Sequence, residues 1–345
     1  MKIDAFTHIL PREYGERMSA LGDIPAARNI RNRIAGIPAL IDLDVRLRQL
    51  EEFGDDYRQI ISLPAPPLED IGDPALARDM ARLANEGLAG IVQERPERFA
   101  AFVAALPLGD VDHAIEEARR AVVELGAAGV QIYTNVGGLP WDDPRFEPFF
   151  DAIAELDAMI WVHPNRNVNW ADYPTEERSR YEIWWALGWP HETSLFMARI
   201  VFSGVFDRHP DLKILTHHGG GTVPYLAGRV ASGWDQLGAR TPEAESADVE
   251  NQLKHRPLDY FKLFYADTAL FGAPPSIAVA IEFFGHERIL FASDSPFDPE
   301  RGPGYIRTTI ADLEGLGLGD EQLGQIFAGN AQRLLRLDRS GASVS

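Results

Sequence analysis

The chain alternates between short apolar runs and longer amphipathic segments. Eight apolar runs are rich in β-branched or aromatic side chains, as buried strands are. The segments between them place apolar residues at intervals of three and four, as in DHAIEEARRAVVELGAAG, which closes on a glycine-containing cap. This alternation predicts a parallel α/β sheet. The runs are KIDAF near residue 2, YRQIIS near 57, FAAFVAAL near 99, GVQIY near 129, AMIWVH near 158, LKILTH near 212, LFYAD near 263 and RILFAS near 288.

Eight strands with helices between them in a chain of 345 residues predict a (β/α)8 TIM barrel. Such barrels typically take about 250 residues, so the excess is expected to form insertions at 11–50 and 165–192. We expect a single domain over residues 1–337 and a frayed tail over 338–345. A doubly wound sheet is the alternative, but no GxGxxG follows a strand, and HHGGGTVP lacks the lysine of a phosphate-binding loop.

Composition narrows the classes of function. The 45% hydrophobic content supplies a sizeable core, and no apolar run reaches the roughly 20 residues of a membrane span. No signal pattern begins the sequence, so we expect a soluble cytoplasmic protein. The formal net charge of −19 argues against nucleic acid or an anionic membrane as partner, and an anionic substrate would need arginines at its site. Because cysteine is absent, a metal would need His, Asp and Glu ligands.

Most of the chemically active side chains stand where the predicted strands end. The carboxyl ends of barrel strands build the active site of this fold, so these side chains are expected to meet. Imidazoles beside a carboxylate suit Zn²⁺ or Mn²⁺ with an open coordination position, although a metal-free acid–base cluster fits the same spacing. The side chains are His8, His163, His217, His218, Asp267 and Asp294.

Side-chain alternation along strands gives two further expectations. Neighbouring residues point to opposite faces, so only one of His217 and His218 is expected to face the barrel interior. By the same rule Asp4, Phe6 and His8 are expected to share one face of the first strand.

The other histidines carry less information. His113, His209, His255 and His286 stand among charged residues, so they are expected at the surface. His191, in the stretch WPHETS, either lines a pocket or caps the helix that follows.

Several stretches carry a family resemblance through their order along the chain, from residue 1 to about 337. They are MKID with THILP, VRLRQLEEFGDDYRQIIS, AVVELGAAGVQI, VHP, GVFDRHPDLKILTHHGGGTVPYLAGR and ILFASDSPF. In this order they resemble the amidohydrolase-2 branch of the metal-dependent amidohydrolase superfamily. Within that branch they are most similar to the aminocarboxymuconate-semialdehyde and γ-resorcylate-type decarboxylases. The resemblance implies a barrel, a divalent metal and a homodimer.

The resemblance also implies roles for the residues at the strand ends. His8, His163 and Asp294 match three metal ligands of the family. His218, directly before three glycines, matches its catalytic histidine, so the resemblance favours His218 as the one that faces inward. His217 is then expected either to pack outward against a helix or to orient a ligand from behind. Either Asp294 or a water activated by His218 would then supply a proton to the substrate.

Substrate contacts are expected from arginines and from the insertion at 165–192. By resemblance, Arg46 and Arg229 hold substrate carboxylates, a task that suits bidentate guanidinium pairing. Trp185 and His191 are expected to line the substrate pocket. The tryptophans of the insertion should roof the site, either as a hydrophobic lid or dimer contact or by stacking on a planar substrate. They are Trp170, Trp184, Trp185 and Trp189.

The first strand departs from the family pattern. Where that pattern has His-x-His or Glu-x-His, this chain has Phe6, Thr7 and His8, and a phenyl ring has no lone pair for a cation. Three protein ligands and water still make a catalytic zinc site, so we expect a metal bound with lower affinity. His217, Asp267 or a substrate oxygen would compensate. In the alternative, Phe6 fills the barrel mouth over a vestigial site.

Three functions follow from these observations. The first is a metal-dependent carboxy-lyase that decarboxylates a planar aromatic or unsaturated carboxylic acid, with zinc as its metal and manganese as the alternative. The second is a metal-dependent hydrolase of an ester, lactone or amide. The third is a protein with a degenerate, metal-free site. A small-molecule carboxylate is the expected partner.

Overall fold

The eight predicted strands form one parallel barrel in a computed structural model that describes residues 1–236, 239–240 and 253–337. Each strand pairs with the next one along the chain. Backbone hydrogen bonds from Ala5 to Phe291 and from Asp294 to Phe6 join the last strand to the first. The strands are β1 Lys2–His8, β2 Tyr57–Ser62, β3 Phe99–Ala105, β4 Gly129–Tyr133, β5 Met159–His163, β6 Lys213–Thr216, β7 Tyr265–Asp267 and β8 Ile289–Leu290. The predicted TIM barrel is therefore confirmed, while the predicted tail at 338–345 lies outside the described residues.

Helices connect the strands and often begin at capping signals. Asp73 accepts backbone hydrogen bonds at the start of α4, whose first residue is Pro74, and Asp110 caps α5 in the same way. No helix among the described residues is long and apolar enough to cross a bilayer. The helices are α1 Arg12–Ser19, α2 Pro25–Gly36, α3 Leu43–Leu50, α4 Pro74–Glu94, α5 Val111–Val123, α6 Glu147–Glu155, α7 Ile183–Ala186, α8 Gly188–Phe202, α9 Val205–Arg208, α10 Ala227–Trp234, α11 Pro257–Phe261, α12 Pro274–Phe284, α13 Gly304–Gly315, α14 Asp320–Gly324 and α15 Asn330–Leu335.

The two segments expected as insertions lie beside the carboxyl ends of the strands. The segment 11–50 contains α1, α2 and α3 and connects β1 to β2. The segment 165–192 follows β5 and contains α7 and the first turn of α8. Both segments are therefore placed to cover the barrel mouth.

Strand β1 departs from strict alternation. Its pairing with β2 shifts register between Asp4 and Thr7. Ala5 and Phe6 are consecutive, yet both belong to the apolar cluster that fills the barrel interior, whereas Asp4 hydrogen-bonds to side chains outside that cluster. The expectation that Asp4 shares a face with Phe6 and His8 is therefore wrong, because the irregularity changes the phase of the strand.

Candidate active site

The carboxyl ends of four strands bring three histidines and one aspartate together in the barrel mouth. They are His8 at the end of β1, His163 at the end of β5, His217 directly after β6 and Asp294 shortly after β8. All four side chains are buried. Asp294 Oδ1 lies 3.2 Å from Nε2 of His8 and 3.5 Å from Nε2 of His217. One ring nitrogen from each of the three histidines lies within 4.8 Å of the other two.

Each of these imidazoles is held in one tautomer through its Nδ1. Nδ1 of His163 donates to a backbone carbonyl at 2.8 Å, and Nδ1 of His8 donates to another at 3.1 Å. Nδ1 of His217 donates to the carboxylate of Asp267. Because carbonyl and carboxylate oxygens only accept, a proton lies on each Nδ1, and Nε2 offers its lone pair to an ion once the ring is neutral. At His217, whose pKa the Asp267 carboxylate raises, a bound ion would displace the Nε2 proton.

Three polar atoms of these side chains face one another and receive no hydrogen bond from the described part of the chain. Nε2 of His8, Nε2 of His217 and Oδ1 of Asp294 are buried, and no hydrogen bond reaches them from the described residues. Buried acceptors are costly unless a donor or a cation satisfies them. The 3.2 Å between His8 and Asp294 also resembles the roughly 3.3 Å between two ligands that each lie about 2 Å from a tetrahedral zinc. These residues therefore fit a divalent metal ion.

His217 and His218 both face this site, so the expectation that only one of them faces inward is wrong. Their rings stack, with centroids 3.8 Å apart and planes at 23°. The φ angle of His218 is +57°, so strand alternation ends at β6 and the chain turns. Gly219 follows at φ +64°, where an added Cβ would lie 2.9 Å from Leu270. Both the conformation and the space at this position therefore require glycine.

Burial and neighbouring charges set the protonation of the site. Burial and adjacent imidazoles lower the pKa of His163 well below its ordinary value, and burial with His217 lowers the pKa of His218 to about 4. Burial opposes a charge on His217, but the Asp267 carboxylate prevails and raises that pKa to about 9. Burial raises the pKa of Asp294, but the facing histidines lower it by a larger amount, so the pKa lies below its ordinary value. Near pH 7, Asp294 is therefore a carboxylate and His218 a neutral base.

A cavity of about 220 Å³ opens over the cluster. His163 and Asp294 contribute to its lining, together with one cation, Arg33 of α2. The Arg33 guanidinium lies 4.9 Å from the centroid of the Phe297 ring, and its Nε donates to Asn29 at 2.7 Å. Its terminal N–H groups have no hydrogen-bond partner among the described residues, so they are available to an anion. The aromatic walls are Trp184, Trp185, Trp189, Phe271, Phe297 and Tyr305.

The sequence prediction missed Arg33. This arginine lies in the segment 11–50 and not at a strand end, where the search for chemically active residues was made. The need for an arginine to receive an anionic substrate was foreseen, and the position of this segment beside the barrel mouth is the signal that would have pointed to α2. Burial lowers the pKa of Arg33 from its ordinary value.

Of the four expected substrate contacts, only Trp185 lines this cavity. Arg46 is buried on α3, where its Nε donates to Gln59 at 2.9 Å and its Nη1 to a backbone carbonyl of β1 at 2.6 Å. These bonds hold its guanidinium against β1 and β2, away from the cavity lining. Arg229 and His191 are exposed on α10 and α8. None of Arg46, Arg229 and His191 lines this cavity, so their contact with substrate stays a prediction.

Three of the four insertion tryptophans roof the cavity. Trp189 lies parallel to the ring of His218, with centroids 6.2 Å apart and planes at 8°. Its Nε1 donates to the backbone carbonyl of Arg166, whose guanidinium pairs with Glu192 at 3.2 Å. Trp170 instead lies 5.7 Å from the Arg166 guanidinium and does not line the cavity. The roof is therefore fixed to the loop after β5 by hydrogen bonds and an ion pair.

Of the remaining histidines, one is exposed as predicted, His255, and the other three are half-buried; none of them lines the cavity. They are His113, His209, His255 and His286.

Comparison with known proteins gives consistent similarities. A family model described as amidohydrolase matches residues 39–337. The chain is 33% identical to gamma-resorcylate decarboxylase of a Rhizobium species, over 87% of this chain and 89% of that protein. It is 28% identical to 2-amino-3-carboxymuconate-6-semialdehyde decarboxylase of Dictyostelium discoideum, over 98% of this chain and 92% of that protein. Among solved structures, dihydroxybenzoic acid decarboxylase of a Polaromonas species, with bound manganese and the inhibitor 2-nitroresorcinol, is 28% identical with a TM-score of 0.75, covering 99% of this chain and 98% of that one.

Proposed function

The chain belongs to the amidohydrolase family, and from this membership we propose that it is a metal-dependent decarboxylase of a planar aromatic or unsaturated carboxylic acid. The observation that carries the proposal is the cavity, in which Arg33 and flat aromatic walls surround a buried cluster of histidine and aspartate. The decarboxylases to which the chain is similar support the same reaction class.

The donor set at the barrel mouth would hold a divalent ion. His8, His163 and Asp294 are ligands in this proposal, and the ion is zinc, with manganese as the alternative. When bound, such an ion polarises a substrate oxygen and stabilises the negative charge that develops on it.

Substrate binding in this proposal combines one guanidinium with stacking surfaces. Arg33 binds an anionic oxygen of the substrate, which reverses locally the strongly negative field of the protein. The tryptophan and phenylalanine rings contact the faces of a planar acid. A volume of about 220 Å³ is below the roughly 300 to 1,000 Å³ of common small-molecule pockets, so the cavity suits a single-ring substrate.

Decarboxylation replaces the carbon–carboxylate bond with a carbon–hydrogen bond, so a proton must reach the carbon that loses carbon dioxide. His218 is a neutral base and Asp294 a carboxylate near pH 7, so both accept a proton before they can deliver one. In this proposal they collect it from a substrate hydroxyl or from water and transfer it to the ring carbon. Expulsion of carbon dioxide then restores the conjugated ring.

A direct test supplies the zinc- or manganese-loaded protein with a panel of hydroxybenzoates, benzoates and muconates. Carbon dioxide release is measured, and the product is analysed by mass spectrometry after reaction in D₂O. We expect one deuterium at the carbon that lost the carboxylate. Absence of carbon dioxide from the whole panel, together with turnover of esters or lactones, would replace decarboxylation with hydrolysis.

The role of Arg33 is tested by Arg33→Ala beside the control Arg28→Ala. Arg28 lies on the same helix and pairs with Asp23, where both side chains are exposed. Loss of a charged hydrogen bond to the substrate carboxylate costs roughly 1.5 to 3 kcal/mol, so we expect kcat/KM to fall about 10- to 100-fold in Arg33→Ala only. Equal kinetics of the two variants would remove Arg33 from the proposal.

The homodimer implied by the family resemblance stays a prediction. Size-exclusion chromatography with light scattering on the full chain tests it, and a mass of 38.3 kDa would identify a monomer.

A further inference from the structure

Phe6 points into the group of side chains formed by His8, His163, His217 and Asp294, but its phenyl ring has no donor atom for a cation. Its ring lies 5.4 Å from that of His8 and 6.1 Å from that of His163, measured between centroids. Its closest ring partner in the cluster is His217, which stacks on it at 3.9 Å with an interplanar angle of 28°. A third imidazole therefore lies directly beside the one side chain of the cluster that cannot bind a cation.

His217 has the geometry of a ligand toward the same centre as its neighbours. One ring nitrogen of His217 lies within 4.8 Å of a ring nitrogen of His8 and of His163. His217 also forms a second set, with His218 and Asp294, whose ligand atoms all lie within 4.8 Å of one another. Its Nε2 is fully buried and has no hydrogen bond from the described residues. That nitrogen lies 3.5 Å from Asp294 Oδ1, the same oxygen that faces His8.

The surroundings of His217 fix its orientation. Asp267 accepts from its Nδ1, which directs Nε2 toward the cluster, where a bound cation would take the place of the Nε2 proton. Asp267 is itself held by backbone amides of Gly219 and Ala269, each 3.2 Å from its Oδ1. Phe6 on one side and His218 on the other enclose the ring in a stack. A side chain fixed in this way can bind an ion with little loss of freedom.

The rival candidates fit the position less well. His218 groups with His217 and Asp294 but with neither His8 nor His163, whereas Asp294 Oδ1 also lies 3.2 Å from Nε2 of His8. Asp267 is engaged through both carboxylate oxygens, by His217 and by the two backbone amides. Among the described side chains, His217 is thus the one that connects both groups of ligands.

We infer that His217 is a direct metal ligand, which provides the imidazole that Phe6 does not, and that Asp267 is the positioning residue that orients it. The inference rests on the metal site of the proposed function and extends it, since the ligand set becomes His8, His163, His217 and Asp294. His218 is then left free to act on the substrate.

Zinc affinity tests the assignment without any assay of activity. The apo form of the full chain is titrated with Zn²⁺ against a chromophoric chelator, for the wild type, His217→Ala, His217→Gln, His218→Ala and the exposed control His191→Ala. Loss of a group that only orients a ligand lowers metal affinity about 10- to 100-fold, so we expect at least a 100-fold loss in both His217 variants. His218→Ala and His191→Ala are expected to stay within about threefold of the wild type.

Two further variants distinguish a ligand from a packing residue. Asp267→Asn should weaken zinc binding about 10- to 100-fold, and the visible absorption of its Co²⁺ form should change because the imidazole is no longer oriented. The double variant Phe6→His/His217→Ala should recover most of the lost affinity, since it returns an imidazole to the neighbouring position. Circular dichroism and thermal unfolding establish that each protein is folded.

The results separate this inference from the proposed function. Unchanged zinc affinity in both folded His217 variants would overturn the ligand assignment, even if the wild type decarboxylates a substrate. A wild type that binds no zinc or manganese would overturn it as well. Normal zinc binding that depends on His217, without decarboxylation of any acid in the panel, would support the assignment and reject the proposed reaction.

Discussion

His218 differs from the other imidazoles of the barrel mouth through its neighbours. Its Nδ1 donates to a backbone carbonyl at 2.9 Å, its ring lies between those of His217 and Trp189, and its pKa is lowered to about 4. It is therefore a neutral acceptor at the edge of the cavity. These properties suit a group that moves a proton.

We expect His218→Gln to lower kcat about 100- to 10,000-fold, the usual loss when a general acid–base group is removed. Zinc content should remain that of the wild type, because His218 is not a ligand in our assignment. Single-turnover decarboxylation and elemental analysis of the same preparation measure the two quantities. His255→Gln, an exposed change outside the cavity, is the control, and an equal kcat in both variants would contradict the role of His218.

Asp4 gives a second prediction at this scale, concerning stability. The carboxyl is fully buried, and burial raises its pKa from 3.8 to about 6 although Ser293 and Tyr57 donate hydrogen bonds to it. The folded state thus keeps the proton to higher pH than the unfolded state does. The contribution of Asp4 to the free energy of unfolding should therefore be fully present below pH 4, fall by about 3 kcal/mol between pH 4 and pH 6, and change no further above pH 6.

Urea unfolding at several pH values, with Asp4→Asn as the comparison, isolates that contribution. The variant loses part of its hydrogen bonding, so its absolute stability falls and only the slope with pH is compared. We expect the difference in unfolding free energy between wild type and variant to change between pH 4 and pH 6. A constant difference over that range would contradict a raised pKa for Asp4.

How far individual residues could be predicted depended on whether they end a strand. Strand position alone was enough to direct His8 and His163 to the mouth of a barrel, because strand ends converge there. Alternation failed for His218 and not for His217, which is in phase with Leu215 of the barrel interior. The left-handed conformation of His218 brings its ring to the same site, and no pattern of hydrophobicity encodes that angle. Arg33 was not predictable from any strand, because the packing of α2 on the mouth decides where its side chain lies.

At the scale of elements, strand β4 shows how closely neighbouring strands pack. Gly129 pairs with Met159 of β5, and an added Cβ would lie 2.1 Å from the Met159 carbonyl oxygen and 2.7 Å from the Trp161 ring. Neither the backbone oxygen nor a buried tryptophan can move freely aside. A methyl group at this position would therefore force β4 and β5 apart.

We expect Gly129→Ala to lower the free energy of unfolding by at least 2 kcal/mol, because overpacking of this kind typically costs 1 to 3 kcal/mol even against mobile side chains. Gly90→Ala is the matched control. Gly90 is exposed within α4 with nothing within 4 Å of an added Cβ, so alanine should stabilise the protein by about 0.5 to 1 kcal/mol. Chemical denaturation of both variants measures the difference, and equal effects would contradict the packing of β4 on β5.

The elements themselves were more predictable than their details. All eight apolar runs form strands, since each combines β-branched or aromatic residues with apolar neighbours. The register irregularity in β1 was not predictable, because Ala5 and Phe6 are both apolar and the pattern is compatible with either face. The roof formed by Trp184, Trp185 and Trp189 was expected from the sequence of the insertion, but only the fold shows that Trp189 is the one that faces His218.

At the scale of the whole molecule, the barrel holds its acceptors together through distant parts of the chain. His8, His163, His217 and Asp294 come from four strands that span most of the sequence. Their buried ring nitrogens and carboxylate oxygen lack hydrogen-bond partners among the described residues, within a protein of net charge −19. A bound cation should therefore stabilise the fold as a whole.

Metal removal tests this coupling between site and fold. An ion that binds only the folded state adds about 2.7 kcal/mol of stability at a concentration 100 times its Kd, and more at higher excess. For a chain of this size that corresponds to a rise in Tm of at least roughly 5 °C, because 1 kcal/mol shifts the Tm of large domains by about 2 to 4 °C. Differential scanning calorimetry of the zinc-loaded and chelator-treated protein measures it, and His8→Ala, which keeps three of the four proposed ligands, should show a smaller shift at the same zinc concentration. Equal Tm values for loaded and stripped wild type would mean that these imidazoles bind no metal in the folded state, because mass action requires that a ligand specific to the native state raise its stability.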